Sequence, residues 1–224
     1  MQGDAALDRF DAFFEPNSFT VGGLFPTPLM TASLENHGAL NTDLAERITA
    51  REQVERGVEI SNLGGWHSAE FQTWCGPSGT LVLEAARQMV DRMTVMDISG
   101  EFVQAKVGWR IAAWANVNRR GHGNKPHGHP SAFWSGIYWV DDGGVQEDPA
   151  VGGLLEIADP RGLLPSMYAP HLRCAVRDCL GDGRGEVVTP RAGTLILFPS
   201  WLIHSVSPYT GDRTRISIAF NFSL

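Results

Sequence analysis

Apolar positions follow two different rhythms along the chain, and the change comes near residue 100. In the first part they recur at helical spacing. Leu40, Leu44 and Ile48 form a short stripe, with Asn41 placed to cap a helix that runs to about Arg56 and ends at Gly57. The other positions of that helix are Asp, Glu and Arg, so it lies on the surface. A second stripe, Val82, Ala86, Met89, Met93 and Met96, widened by Leu81, Ala85 and Val90, predicts a packing helix over residues 80–96. Its methionines read as core filler. Between the helices, residues 61–79 (SNLGGWHSAEFQTWCGPSG) read as a long glycine-rich loop, either a ligand-contacting lid or a surface connection pinned by Trp66 and Trp74. Before them, LFPTPLM at residues 24–30 carries two prolines and reads as an edge strand or a clamp along a sheet.

Beyond residue 101 the period becomes two. GWRIAAWANVN, FWSGIYWVD, VGGLLEIAD, EVVTPR, GTLILFP and RTRISIAFNFS each read as a strand bounded by Gly, Pro, Asp or Asn. Helices first and then strands, with no long helix between strands, predict a mainly β (α+β) fold. The expected form is an antiparallel barrel or jelly roll with the N-terminal helices packed outside. No repeat or linker divides the chain. The expected organisation is an N-terminal arm over residues 1–20 and a single domain over 21–224, with a helical and loop part at 21–100 and a jelly-roll core at 101–224.

Composition narrows the partners. A net charge of −7 argues against nucleic acid or an anionic membrane. No window approaches 18 apolar residues, so no membrane span is expected. The first twenty residues carry three Asp and one Glu and do not read as a signal peptide. Cys75, Cys174 and Cys179 lack metal-type spacing, and a reduced protein in the cytoplasm is the default. A homodimer is the base-rate expectation.

The chemistry concentrates at residues 116–140, which hold His122, His127 and His129. In extended chain, residues i and i+2 share a face about 7 Å apart, so His127 and His129 can converge on one metal. His204, just after the strand and turn GTLILFPSWLI, is the candidate third ligand. In strand register Arg215, Ser217, Ala219 and Asn221 share one face, while Ile216, Ile218, Phe220 and Phe222 share the other. An inward arginine is costly without an anion, and a dicarboxylate would satisfy it through the guanidinium with help from Ser217.

This set of residues resembles the 2-oxoglutarate/Fe(II)-dependent oxygenase superfamily, whose fold is a double-stranded β-helix. It is closest to a bacterial branch patterned by LFPTPL (residues 24–29), SN-x-GGWHS (61–68), W-x-N (114–116), H-x-HP…SGxYxV (127–140), FPSWLxHxVxP (198–208) and RxSxxFN (215–221). The resemblance implies that His127, His129 and His204 form the catalytic metal site and bind Fe(II), and that Arg215 and Ser217 hold the C5 carboxylate of 2-oxoglutarate. It places Tyr138 and Asn116 beside the cosubstrate. Asn118, Trp66 and His67 become candidates for contact with a small-molecule or amino-acid-like substrate. The reaction implied is decarboxylation of 2-oxoglutarate by O2, coupled to hydroxylation.

One position departs from the superfamily. His129 stands where most members have Asp or Glu, and three imidazoles also suit Zn, Ni or Cu. Asp141, Asp142, Glu156 and Asp159 are the carboxylates that could complete the site, with Glu156 foremost because it interrupts an apolar strand. Two other classes fit part of the pattern: a cupin dioxygenase with three histidines and no 2-oxoglutarate, and a non-catalytic metal- or ligand-binding barrel. Cupins, however, place Glu where Phe133 or Trp134 stands and do not need Arg215. His37, His171 and His122 read as ordinary surface or packing residues. Six tryptophans near the motifs suggest flat apolar pocket walls or core filling.

Overall fold

A computed structural model of the chain describes residues 24–104, 106–162, 167–169, 171–172 and 185–224. The expected N-terminal arm, Cys174 and Cys179 lie outside the described residues. In chain order the elements are β1 (Met30–Ser33), α1 (His37–Val54), β2 (Asn62–Leu63), β3 (Trp66–His67), α2 (Phe71–Trp74), α3 (Gly76–Met93), β4 (Met96–Ile98), β5 (Glu101–Val103), β6 (Arg110–Asn118), β7 (Gly123–His127), β8 (Trp134–Asp141), β9 (Leu155–Ile157), β10 (Glu186–Val188), β11 (Thr194–Pro199), β12 (His204–Val206) and β13 (Arg215–Ser223). Two antiparallel sheets carry the fold. The larger has the order β1-β11-β8-β13-β6-β3 and the smaller β10-β9-β12-β7-β2, while β4 and β5 form a separate hairpin.

Alternation along the large sheet divides its side chains between two layers. One face packs under the helices. Ile216, Ile218, Phe220 and Phe222 of β13, Ala113, Ala115 and Val117 of β6, and Trp134, Tyr138 and Val140 of β8 share a buried cluster with Leu44 and Ile48 of α1 and Val82, Leu83, Ala86 and Val90 of α3. The other face meets the small sheet. There Ile137, Trp139, Ile196 and Phe198 pack with Leu155, Ile157 and Leu202. Burying one such side chain is worth about 1.5–3 kcal/mol. A one-residue slip of β13 would turn Ile216, Ile218, Phe220 and Phe222 out of the helix layer and drive Arg215 into it, so the register is firmly specified. Gly136 shows how close the strands approach, since a Cβ there would lie 2.4 Å from the Ile196 carbonyl oxygen and from the Phe220 ring.

Several local expectations need correction. The first helix begins at His37, not Asn41, because Asn36 takes a left-handed conformation (φ 52°) and starts the helix a turn earlier. Asn41 is therefore inside α1, where its Oδ1 accepts a 2.6 Å hydrogen bond from the Tyr138 hydroxyl. The second helix begins at Gly76, and its buried line is Gly79, Val82, Leu83, Ala86 and Val90. Leu81 and Met93 are exposed, and Met96 has left the helix for β4. Packing on the sheet, which the periodicity could not locate, selects the face. The stretch expected to be a loop is largely structured: β2 pairs with β7 and β3 with β6, so one short segment adds an edge strand to each sheet. In the proline-rich segment the strand begins only at Met30, after both prolines, where β1 pairs with β11.

Tyr138→Phe removes a buried donor and leaves Asn41 Oδ1 without its partner. Denaturant unfolding should show a loss of about 1–2 kcal/mol, with metal affinity unchanged. A loss of metal binding would mean that Tyr138 acts inside the barrel after all.

Candidate metal centre

The three histidines meet through the small sheet. β7 ends at His127, β12 begins at His204, and the two are direct cross-strand partners. His129 follows two residues later, its backbone N–H donating to the Ser200 carbonyl at 2.9 Å. Gly128 allows that approach, because a Cβ would sit 3.2 Å from Ile203 Cδ1. One ligand nitrogen from each ring lies within 4.8 Å of the others. Among the described residues no carboxylate joins this group.

The backbone also orients two of the rings. His127 Nδ1 lies 2.7 Å from the Lys125 carbonyl, and His204 Nδ1 lies 2.9 Å from the Leu202 carbonyl. A carbonyl only accepts, so each Nδ1 carries the proton and each Nε2 keeps its lone pair, that of His127 facing the Ser61 hydroxyl at 3.4 Å. Burial, with a smaller contribution from the neighbouring imidazoles, holds the pKa of His129 and of His204 down at about 4, the hydrogen bond to the Leu202 carbonyl opposing the shift at His204. Both rings are therefore neutral and ready to ligate at pH 7. The donor set fits a divalent transition metal.

A single recess joins this cluster to Arg215 and is lined also by Asn116 and Ser217. Register explains the grouping, because Arg215 pairs with Asn118 and Ser217 with Asn116 across β13 and β6. Arg215 is 2% exposed. It donates to Asn118 Oδ1 at 3.3 Å, and its Nε has no partner. Burial lowers its pKa to about 10, with Asp142 and Tyr209 opposing the shift. Asp142 does not form an ion pair with it; its two oxygens accept from the backbone N–H groups of Gly144 and Ala192.

Other predicted site residues fall elsewhere. Tyr138 does not face the recess: neighbouring strand positions face opposite ways, and its side chain belongs to the helix layer. Trp66 is likewise in that layer, donating through Nε1 to the Glu55 carbonyl. Asn118 is buried behind the recess as the partner of Arg215. His67 is buried and stacks on Trp114 at 5.4 Å, and Trp114 in turn lies 5.7 Å from His129. Burial lowers the His67 pKa to about 4, with a further contribution from His127. Glu156 points away, where it is exposed and accepts from Ser205. Asp141 accepts from the Gly143 N–H, and Asp159 accepts from Arg161. His122 Nδ1 accepts from the Arg119 N–H, a packing role as expected. Trp114, one of the six tryptophans that suggested flat pocket walls, lines the recess, on the same strand face as Asn116 and Asn118. Sequence reading missed Ser61 and Asn124, which arrive only through pairing in the small sheet.

Residues 112–221 match a family described as "Putative 2OG-Fe(II) oxygenase". A comparison with curated proteins finds no match. Among solved structures the chain is similar to a Pseudomonas putida prolyl-4-hydroxylase (TM-score 0.58, 17% identity, covering 88% of this chain and 92% of that one). It is similar to a Trichoplax adhaerens prolyl hydroxylase in complex with a hypoxia inducible factor oxygen degradation domain peptide fragment (TM-score 0.57, 13% identity, 87% and 83%). It is also similar to HygX from Streptomyces hygroscopicus with nickel and 2-oxoglutarate bound (TM-score 0.56, 10% identity, 88% and 83%). At these identities the likeness establishes the fold, a double-stranded β-helix.

His127→Ala and His204→Ala should each abolish tight metal binding, read as metal content after dialysis, because each removes one of three candidate ligands. Retained stoichiometric metal in both variants would refute the site. A pH dependence follows as well. Below pH 6.5 the unfolded chain protonates His67, His129 and His204, while the folded protein leaves them neutral until about pH 4. Metal-free stability should therefore be complete above pH 6.5 and fall steadily as pH drops towards 4. Chemical unfolding at pH 7, 6 and 5 measures this, and a flat response would contradict the burial of these rings.

Proposed function

The chain belongs to the 2-oxoglutarate/Fe(II)-dependent oxygenase superfamily, and from that premise we propose that it hydroxylates a small-molecule or amino-acid-like substrate at a three-histidine centre. The observation that carries this reading is Arg215, a buried guanidinium with an unpartnered Nε and, among the described residues, no carboxylate within ion-pair distance. Such a group requires an anion. It lines the same recess as the histidines, as expected for a ligand that bridges a metal and a cation.

His127, His129 and His204 would hold Fe(II), and Arg215 with Ser217 would hold the C5 carboxylate of 2-oxoglutarate. The chemistry these groups supply when bound is oxidative decarboxylation of 2-oxoglutarate by O2, giving succinate and CO2. The protein's own contribution is placement. Carbonyls at Lys125 and Leu202 keep His127 and His204 in the ligating tautomer. Asn118 braces the guanidinium against rotation. Trp114, backed by the buried His67 ring, forms a flat wall beside His129 and shields the reacting atoms from water. Asn116 offers a neutral amide to the substrate or cosubstrate side of the recess. Three neutral imidazoles leave the metal's full charge to be balanced by the ligands, which strengthens the attraction for a dianionic cosubstrate.

Arg215 also separates this reading from a three-histidine dioxygenase without 2-oxoglutarate, which has no use for a buried cation. Arg215→Ala should leave metal stoichiometry unchanged and weaken 2-oxoglutarate binding at least a hundredfold, since a bidentate charge-assisted contact is lost. Calorimetry on the metal-loaded protein tests this. Unchanged affinity would overturn the proposal.

A further inference from the structure

Exposed apolar side chains are ordinary when scattered, but six of them gather at the β4–β5 hairpin: Met93, Val95, Met96, Ile98, Phe102 and Val103. Every strand residue of the hairpin is exposed, and Phe102 keeps 76% of its surface in solvent. The base is anchored. The Gln104 amide donates to the Thr94 carbonyl at 3.0 Å, and Trp109 Nε1 donates to the Asp91 carboxylate at 3.0 Å. Beyond that base, among the described residues, the two strands pair only with each other.

The sequence nevertheless builds this hairpin firmly. Ser99 and Gly100 take φ 56° and 89°, the left-handed pair that a tight two-residue hairpin turn requires. Asp97 Oδ1 accepts from the Gly100 N–H at 2.8 Å and holds the turn. Two strands alone are only marginally stable in water. A hairpin encoded in this way, with apolar side chains on both faces, is completed by a strand from outside.

Cross-strand pairing decides where that strand can join. The partners are Met96 with Val103, Asp97 with Phe102 and Ile98 with Glu101. The two-residue turn makes Ile98 and Glu101 a hydrogen-bonded pair, so Met96 and Val103 form the next one. The N–H and C=O of Phe102 therefore point to the open edge of β5, and those of Asp97 to the open edge of β4. A second copy of the chain fits the β5 edge. In an antiparallel two-fold pairing centred on Phe102, each Phe102 faces its own counterpart and exchanges both backbone hydrogen bonds with it. Glu101 then stands opposite Val103, so no like charges meet directly. At the β4 edge the same symmetry would set Asp97 against Asp97, which is destabilising.

The surface is large enough. The six residues expose roughly 600 Å², the upper end of the largest apolar patch on a typical monomer. Two copies bring roughly 1,200 Å² to the contact, the lower end of specific interfaces and enough for a reversible dimer. We propose that the open edge of β5 is a dimerisation edge, joining two copies of this chain through a four-stranded sheet centred on Phe102.

Sedimentation velocity over a concentration series of the full chain tests this. The wild-type protein should pass from monomer to dimer at micromolar concentrations. Phe102→Glu replaces two facing phenyl rings with two facing carboxylates and should raise the dimer Kd about a hundredfold or more. Because Phe102 is exposed, circular dichroism and metal content should be unchanged. Cross-linking reads the register. Hydrogen-bonded antiparallel partners lie about 5.5 Å apart between Cα atoms, a separation that suits a disulfide. Phe102→Cys should therefore form a disulfide-linked dimer on mild oxidation, whereas Asp97→Cys, on the far edge, should not. A wild-type protein that stays monomeric overturns the proposal. That holds whether its hairpin amides are protected from hydrogen exchange by another part of the same chain or exchange freely and leave the patch to a different protein. A dimer that survives Phe102→Glu, or equal cross-linking through both cysteines, overturns it as well.

Discussion

A buried cation with no ion-pair partner among the described residues governs this structure. Arg215 stands on a central strand of the large sheet, 2% exposed, and donates to one neutral amide among them. Burial alone would favour ejecting the guanidinium into solvent. It stays because β13 cannot slip: Ile216, Ile218, Phe220 and Phe222 are locked under the helices on the opposite face. The apolar layer thus holds a cation in place, and the unmet electrostatic demand becomes affinity for an anionic ligand.

The histidine cluster is built by a different route. Arg215 belongs to the large sheet, whereas His127 and His204 are partners in the small one. Neither sheet alone makes a site. Facing them creates a recess with a neutral nitrogen cluster at one part and a cation at another, the polarity expected for a ligand that chelates a metal and carries a distant carboxylate. Using His129 in place of a carboxylate removes a fixed negative charge from the centre, so charge balance depends more on what binds. The segment Asn62–His67 contributes by adding an edge strand to both sheets at once, carrying His67 to the wall behind Trp114.

Adjacent residues can have unrelated roles for a simple geometric reason. Tyr138 and Trp139 look alike as aromatic neighbours in a motif, yet the pleat sends them to opposite layers. Tyr138 hydrogen-bonds to Asn41 of α1, which explains why Asn41 is polar inside a helix where its capping propensity is unused. Trp66 and His67 divide in the same way, one to the helix layer and one to the barrel interior.

Much of this was legible from the chain. The period-two pattern after residue 101 and the inward face of Arg215 and Ser217 follow from strand geometry and need no tertiary information, whereas His129 lies past the end of β7 and is held beside His127 by the Ser200 carbonyl. His204, the candidate third ligand, was inferred from order alone and is met across β7 and β12. Other features depended on tertiary structure. Which helix face is buried, where the first helix starts, and whether Glu156 points in or out all depend on what each element packs against. Periodicity identifies which residues share a face; only the packed sheets decide which face is the inside. For the same reason sequence could name an arginine that needs an anion, but not that its Nε would be left without a partner: a missing hydrogen bond exists only once every other neighbour has taken its place.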